Sequence, residues 1–294
     1  MNRRPMLRYL AILLLVISHV LPIHAANELP NTPRTPDASK SKPLVFGVYP
    51  YLSPSQIVTQ FSPLANVLAE KLGQTVELRS APNFPSFIER TRSGEYDFIF
   101  TAPHMGRLAE QRDGYQPVVQ TGYPIVIVAL TRQDSPVKTL ADLKNRKLAV
   151  GAQLSMTYQI MAQALGQQGL QLGSDVRFVD TASFSNITEA IIRGEADAGA
   201  TGTLLWDGMP ANQKSQLREV FRSEAVPGFL ILAHGRIPPD MRKTLLRALT
   251  DFKHTPTGKR YFEATQQIDF RPVDAATMKR IDPFVAVLKQ AASP

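Results

Sequence analysis

Ten residues of this chain return at an offset of 100 residues. Residues 92–101 read RSGEYDFIFT and residues 192–201 read IRGEADAGAT, with Gly, Glu, Asp and Thr each at the same offset. The offset also carries Phe84 onto Phe184 and Glu89 onto Glu189. A glycine after a helical run supplies the left-handed residue that ends a helix, and the Asp that follows opens an apolar strand. A chain that repeats this junction is expected to be built twice from strand–helix–strand units.

The pattern of apolar residues agrees. Strands are predicted at 44–48, 75–79, 97–100, 118–121 and 125–131, with helices at 54–72, 84–91 and 103–112. The pattern then restarts: a helical turn at 140–143, strands at 147–151, 176–179, 197–200, 217–222 and 229–233, and helices at 157–167 and 185–193. Three helices, at 240–253, 257–266 and 275–290, close the chain. Val45-Phe46-Gly47-Val48 looks like Ala149-Val150-Gly151-Ala152, as though both halves opened on one glycine-bearing strand. Alternating strands and helices predict an α/β fold with two mostly parallel sheets covered by helices.

The N-terminus reads as an export signal. Arg3, Arg4 and Arg8 precede an apolar run from Leu10 to Leu21, too short to span a bilayer, and Ala25-Ala26 offers a cleavage point. A signal peptide over 1–26 and a Pro/Thr/Ser-rich flexible lead-in over 27–43 are therefore expected, with periplasmic localisation. The chain has no cysteine, which excludes disulfides, thiol chemistry and a lipoprotein anchor. Three of the 33 basic residues lie in the signal, leaving 30 against 25 acidic ones, a balance of about +5. These charges are scattered among one another, which argues against a nucleic-acid partner.

In parallel sheets, ligands sit beyond the carboxyl ends of the strands, where helix N-termini present free N–H groups. The loops concerned are 49–53, 81–84, 101–104, 152–157, 182–186 and 201–203. They are rich in aromatic, hydroxyl and small residues and contain no acid. Such a crevice suits an anion or a zwitterion. The candidate ligand contacts are Tyr49, Tyr51, Phe84, Thr101, His104, Ser155, Thr157, Tyr158 and Phe184, with Phe84 and Phe184 facing each other across the cleft. His104, His234 and His254 lack metal-ligand spacing, so no metal or other cofactor is expected. Ser155 has no motif base beside it, and Asp97 and Asp197 fall at strand starts, away from the crevice. An enzyme is not expected.

Four segments make the chain resemble a known family. LVFGVYPYLSP, RSGEYDFIFTAPHMGRLA, PIVIVALTRQDSPVKTLADLKNRKLAVG and RGEADAGATGTLLWDGM are similar to the periplasmic phosphate/phosphite/phosphonate-binding proteins of ABC importers, over roughly 44–262. The resemblance implies a two-lobed type II periplasmic binding fold with a two-strand hinge, lobe 1 comprising 44–128 plus 226–294 and lobe 2 comprising 129–225. It further implies a monomer that closes on one small molecule and presents it to a membrane permease. A sensor kinase as partner is the alternative. The family's Ser/Thr-rich turn maps onto Ser155-Met156-Thr157-Tyr158. Its pocket tyrosines map onto Phe84 and Thr101, its pocket histidine onto Phe184, and its pocket acid onto 202–204, which holds none. The implied ligand is a small anion, phosphonate-like or amphipathic.

Overall fold

A computed structural model describes residues 42–181, 184–286 and 288; the expected signal peptide and nearly all of the lead-in lie outside these. The first half runs β1 (Leu44–Val48), α1 (Pro54–Leu72), β2 (Val76–Arg79), α2 (Phe84–Arg92), β3 (Phe98–Thr101), α3 (Pro103–Arg112) and β4 (Tyr115–Thr121). The second runs β5 (Ile127–Arg132), β6 (Lys147–Val150), α4 (Met156–Gln167), β7 (Arg177–Asp180), α5 (Phe184–Ile192), β8 (Ala198–Gly202), α6 (Thr203–Asp207), α7 (Ala211–Lys214) and β9 (Leu217–Arg222). Then come β10 (Leu230–His234), α8 (Pro239–Asp251), α9 (Pro256–Thr265), β11 (Phe270–Pro272) and α10 (Ala275–Lys279).

Local chemistry sets these limits. Ser53 caps α1 and exchanges a capping box with Gln56; Ile57, Phe61, Leu64 and Leu68 turn one face inward, and Gly73 ends the helix at φ +65°. Ser155 caps α4 with its hydroxyl alone, which accepts from the Tyr158 N–H at 3.2 Å.

The strands form two sheets of one design, ordered β2-β1-β3-β10-β4-β11 and β7-β6-β8-β5-β9. In each, a parallel trio (β2-β1-β3, β7-β6-β8) is followed by an antiparallel strand. Both sheets are therefore mixed, not mostly parallel as the alternation implied. The reason is topological: β10 reaches the first sheet only after the second is built, and β5 enters the second directly from β4. The chain thus crosses between lobes twice. At the crossings Ile125 and Val226 exchange two backbone hydrogen bonds of 3.0 and 2.9 Å in an antiparallel bridge. β5 already belongs to the second sheet at Ile127, two residues before the expected lobe boundary at 129.

The repeated decapeptide has a structural answer. Asp97 donates its N–H to the Val45 carbonyl at 2.8 Å, and its carboxylate takes the Val45 N–H at 2.7 Å. Asp197 does the same to Lys147, at 3.0 and 2.8 Å. Each Asp ties the amino end of the middle strand of its lobe's parallel trio to the strand beside it. Gly94 and Gly194, at φ +70° and +74°, make the turns that precede them. This pairing matches Val45 with Lys147 and so Gly47 with Ala149, which corrects the sequence match of Gly47 to Gly151. Gly47 is required by Tyr96, whose ring carbon Cγ would lie 2.5 Å from any Cβ there; the second lobe has Ala196 at that place.

The cores differ in kind. The first lobe buries one cluster rich in rings, including Phe46, Phe61, Phe87, Tyr96, Phe98, Phe100 and Phe252. The second buries mostly aliphatic residues in two clusters, with alternate residues of β5 and β6 on either face of its sheet. The expected helix 275–290 is interrupted. α10 stops at Lys279, and a 3-10 turn follows at Asp282–Phe284 around Pro283, whose ring disfavours a continued helix at the residue before it. This tail touches both lobes: Met278, Ile281 and Val285 pack in the first core and Phe284 in the second. Asp282 takes Arg107 of α3 at 2.6 Å, and Arg280 donates to the Ala225 carbonyl at 2.8 Å.

Candidate functional site

The carboxyl ends of β1 and β3 carry an aromatic wall. Tyr49 follows β1 and stacks on Tyr51 at 4.7 Å and 9°, and on Phe84 at 5.9 Å and 27°. Tyr51 and Phe84 make no ring contact with each other, so Tyr49 is the middle of the stack. Phe100 and Phe229 close round it at 6.3 and 5.8 Å. Tyr49 is buried and Tyr51 and Phe84 are half-buried, so Tyr51 and Phe84 present what aromatic surface remains. Burial pushes the pKa of both phenols up, which keeps them neutral hydrogen-bond donors.

Thr101 ends β3 and His104 is the second residue of α3; both side chains are fully buried. Thr101 Oγ1 finds no hydrogen-bond partner, and neither does His104 Nδ1. The other ring nitrogen, Nε2, lies 2.9 Å from the carbonyl oxygen of Leu154. That residue belongs to the loop from β6 to α4 in the other lobe, and its side chain packs against the first lobe's core. Burial lowers the His104 pKa to about 4, with the Leu154 hydrogen bond opposing the shift. The strand-end loops of the two lobes therefore meet at Leu154, through its carbonyl on His104 and its side chain on the first core.

On the second lobe, the N-cap Ser155 follows Leu154 directly. A helix leaves its first N–H groups without intrahelical partners. Ser155 serves the Tyr158 N–H with its hydroxyl and the Gln159 N–H, at 3.1 Å, with its carbonyl. The N–H groups of Met156 and Thr157 have no partner within the helix. Thr157 is half-buried beside them. Tyr158 turns to its own lobe, its ring edge-on to Phe178 at 5.2 Å. Phe184 starts α5, but its side chain lies outside the described residues, as does most of loop 182–186. Of the nine candidates, Tyr49, Tyr51 and Phe84 thus meet in one stack, and Ser155 and Thr157 share one helix start. His104 links the two sides through Leu154.

Sequence reasoning missed four contributors. Leu154 was the one branched aliphatic in its loop, and that contrast was a usable signal. Phe229 read as the start of a strand; it is held at the cleft because Gly228 lets the backbone press against Thr121, whose hydroxyl accepts the Phe229 N–H at 3.0 Å. Thr181, just past β7, has a buried hydroxyl without a partner. β7 itself extends to Asp180, so one exposed carboxylate does stand at a strand end, on the sheet's edge. Among the described residues no three His, Asp or Glu side chains gather in a way that could hold a metal ion.

Two lobes of mixed sheet joined by two crossings, with opposed strand ends, are the form of a solute-binding protein. The family model for the periplasmic phosphonate substrate-binding protein of ABC transporters matches residues 46–278, and the chain belongs to that family. Its members bind solute for an importer in the periplasm and are transport components, not enzymes. XAC2383 from Xanthomonas citri, solved with ATP, is 21% identical with a TM-score of 0.75, over 85% of this chain and 98% of its own. PhnD1 from Prochlorococcus marinus, in complex with methylphosphonate, is 16% identical with a TM-score of 0.72, over 84% and 98%. The periplasmic aliphatic sulphonate binding protein SsuA from Escherichia coli is 18% identical with a TM-score of 0.60, over 85% and 93%. At these identities the likeness is one of fold.

Proposed function

We propose that the mature chain, cleaved near Ala25/Ala26 and acting as a monomer, captures an oxyanion that also carries an apolar or planar part. The lobes are taken to close about the paired crossings near 122–126 and 223–229. In this reading the oxyanion sits at the start of α4, on the Met156 and Thr157 N–H groups and the Ser155 and Thr157 hydroxyls. The remainder of the ligand lies against Tyr51 and Phe84, with Tyr49 behind them, Thr101 beside them, and Tyr158 and the start of α5 at the far rim, while His104 stands between this wall and the oxyanion. The observation that carries this is the 2.9 Å contact from His104 to Leu154, one residue before the α4 cap, which supports an oxyanion site opposite the aromatic wall. Burial and fixed donors would supply the affinity without chemistry. The closed form would then be offered to the permease; binding to a membrane sensor kinase in its place would mark a signalling role.

The test is a thermal-shift screen of the mature protein with phosphate, methylphosphonate, methanesulfonate and ring-bearing phosphates, the probes that the ligands of the similar structures suggest. At 100 times its dissociation constant a ligand adds about 2.7 kcal/mol. Substituting Ser155 and Thr157 with Ala should lower unliganded stability by about 1 kcal/mol through the lost cap, and remove the ligand-induced increment. An increment that survives in the double variant would place the oxyanion elsewhere.

A further inference from the structure

His104 stands between the strand ends of the two lobes, and its hydrogen bonding fixes its proton. Nε2 lies 2.9 Å from the Leu154 carbonyl oxygen. A carbonyl only accepts, so the proton is on Nε2. Burial keeps the ring neutral. Nδ1 is therefore a bare lone pair, buried and without a donor among the described residues. Thr101 Oγ1 is equally unpartnered, but a hydroxyl can rotate to donate or accept. An imidazole held by its far nitrogen can only accept.

Resting on the oxyanion reading above, we propose that His104 Nδ1 determines specificity: it selects oxyanions that keep a proton, such as the monoanions of phosphonates and phosphate esters, and rejects sulfonates of the same shape. A P–OH group donates to Nδ1. A sulfonate brings only lone pairs to that point and leaves the acceptor unmet, which is how a site built for a hydrogen bond discriminates strongly between near-isosteres. The ring stands beside the helix assigned to the anion, because Leu154, which holds Nε2, immediately precedes the Ser155 cap. The selection also belongs to the closed state. The Leu154 carbonyl comes from the other lobe, so separating the lobes frees Nε2 and with it the choice of tautomer.

Calorimetric titration of the mature protein with methylphosphonate and with methanesulfonate tests this. It should be run at about pH 6, where a phosphoryl group still keeps much of its second proton. Methylphosphonate is expected to bind about 10- to 100-fold tighter. His104→Phe should bring that ratio close to one. His104→Gln keeps a donor for Leu154 and an amide oxygen, and should restore part of the preference. The ratio is the readout, so a general loss of affinity in either variant does not disturb it. Equal binding by the wild type, or an unchanged ratio in His104→Phe, overturns the inference and leaves the oxyanion site standing. Binding of neither compound overturns both. If the variants do not fold, nitrogen NMR of the wild type decides. Nδ1 should be unprotonated and should shift with methylphosphonate alone, and an Nδ1 signal that methylphosphonate leaves unmoved overturns the inference.

Discussion

In the first lobe, Asp97 ties β1 to β3 beneath a core of stacked rings; in the second, Asp197 ties β6 to β8 beneath a core of valine, leucine and alanine. The two junctions make the same pair of backbone bonds, yet the packing above them has diverged in a compensating way. Gly47 leaves room for the ring of Tyr96, while Ala149 stands where Ala196 asks for little. The same divergence reaches the cleft. Strand ends that grow out of the aromatic core carry Tyr49, Tyr51, Phe84 and Phe229, and those of the aliphatic core carry Ser155, Thr157, Thr201 and Thr203. The two lobes thus differ at their strand ends, aromatic in one and hydroxyl-bearing in the other, and the proposed amphipathic anion calls for that asymmetry.

The largest effect expected from this asymmetry concerns pH, because the first lobe buries a titratable ring against the second. His104 has a folded pKa of about 4, below its usual 6.5. Protons bind the unfolded chain first, so stability is full above pH 6.5 and is lost as pH falls toward 4, by roughly 3 kcal/mol. The only polar partner of the ring among the described residues is the Leu154 carbonyl, so no carboxylate masks this loss. His234 is shifted in the same direction but is partly exposed and adds less. Urea denaturation of wild type and His104→Phe across this range should show a much steeper slope in the wild type, with only the smaller His234 contribution left in the variant. Equal slopes would assign the loss to another group.

A second, smaller effect tests the exchange of sizes. Gly47→Ala drives a methyl into the fully buried Tyr96 ring, which Phe87 backs at 5.3 Å, and should cost about 1–3 kcal/mol. Ala149→Gly in the second lobe should cost about 1 kcal/mol or less, mainly through backbone freedom. Adding Tyr96→Ala to Gly47→Ala should cost less than the two single changes summed, since the clash is then gone. Strict additivity in a denaturation cycle would show that the lobes do not exchange volume as described.

How much of this was written in the sequence depended on how local the cause was. Gly94 and Gly194 act on their own backbone, and the helix caps act within four residues, so the repeat and most elements could be read directly. The strand match of Gly47 to Gly151 failed because the need for Gly47 comes from Tyr96, a residue brought over it by folding and absent from any local pattern. The mixed sheets were missed for a similar reason: β10 and β5 reach their sheets from the opposite lobe, and an alternation of elements does not record that crossing. At the cleft, residue types were legible and partners were not. Tyr49 could be placed after its strand, but that Tyr51 and Phe84 both stack on it is tertiary. The bond from His104 to Leu154 joins residues 50 apart and has no counterpart at Leu204, its position in the second copy.

The smallest effect asks whether the two aspartates are equivalent. Both accept a backbone N–H through Oδ2 and an arginine through Oδ1, Asp97 from Arg236 at 2.8 Å and Asp197 from Arg146 at 3.3 Å. Their side chains differ in exposure, 14% against 34%, and Arg236 is held independently of the carboxylate by the carbonyls of Gly94 and Tyr96, where Arg146 has one such anchor, the Asp142 carbonyl at 3.0 Å. Asn in place of either Asp keeps an oxygen for the strand N–H and removes the charge. The loss should be about 1 kcal/mol at Asp97, where less water screens the pair, and about half that at Asp197. Added salt should weaken the Asp197 pair first. Equal losses at both positions, with equal salt dependence, would mean that the arginines contribute little and that the backbone bond alone preserved the repeat.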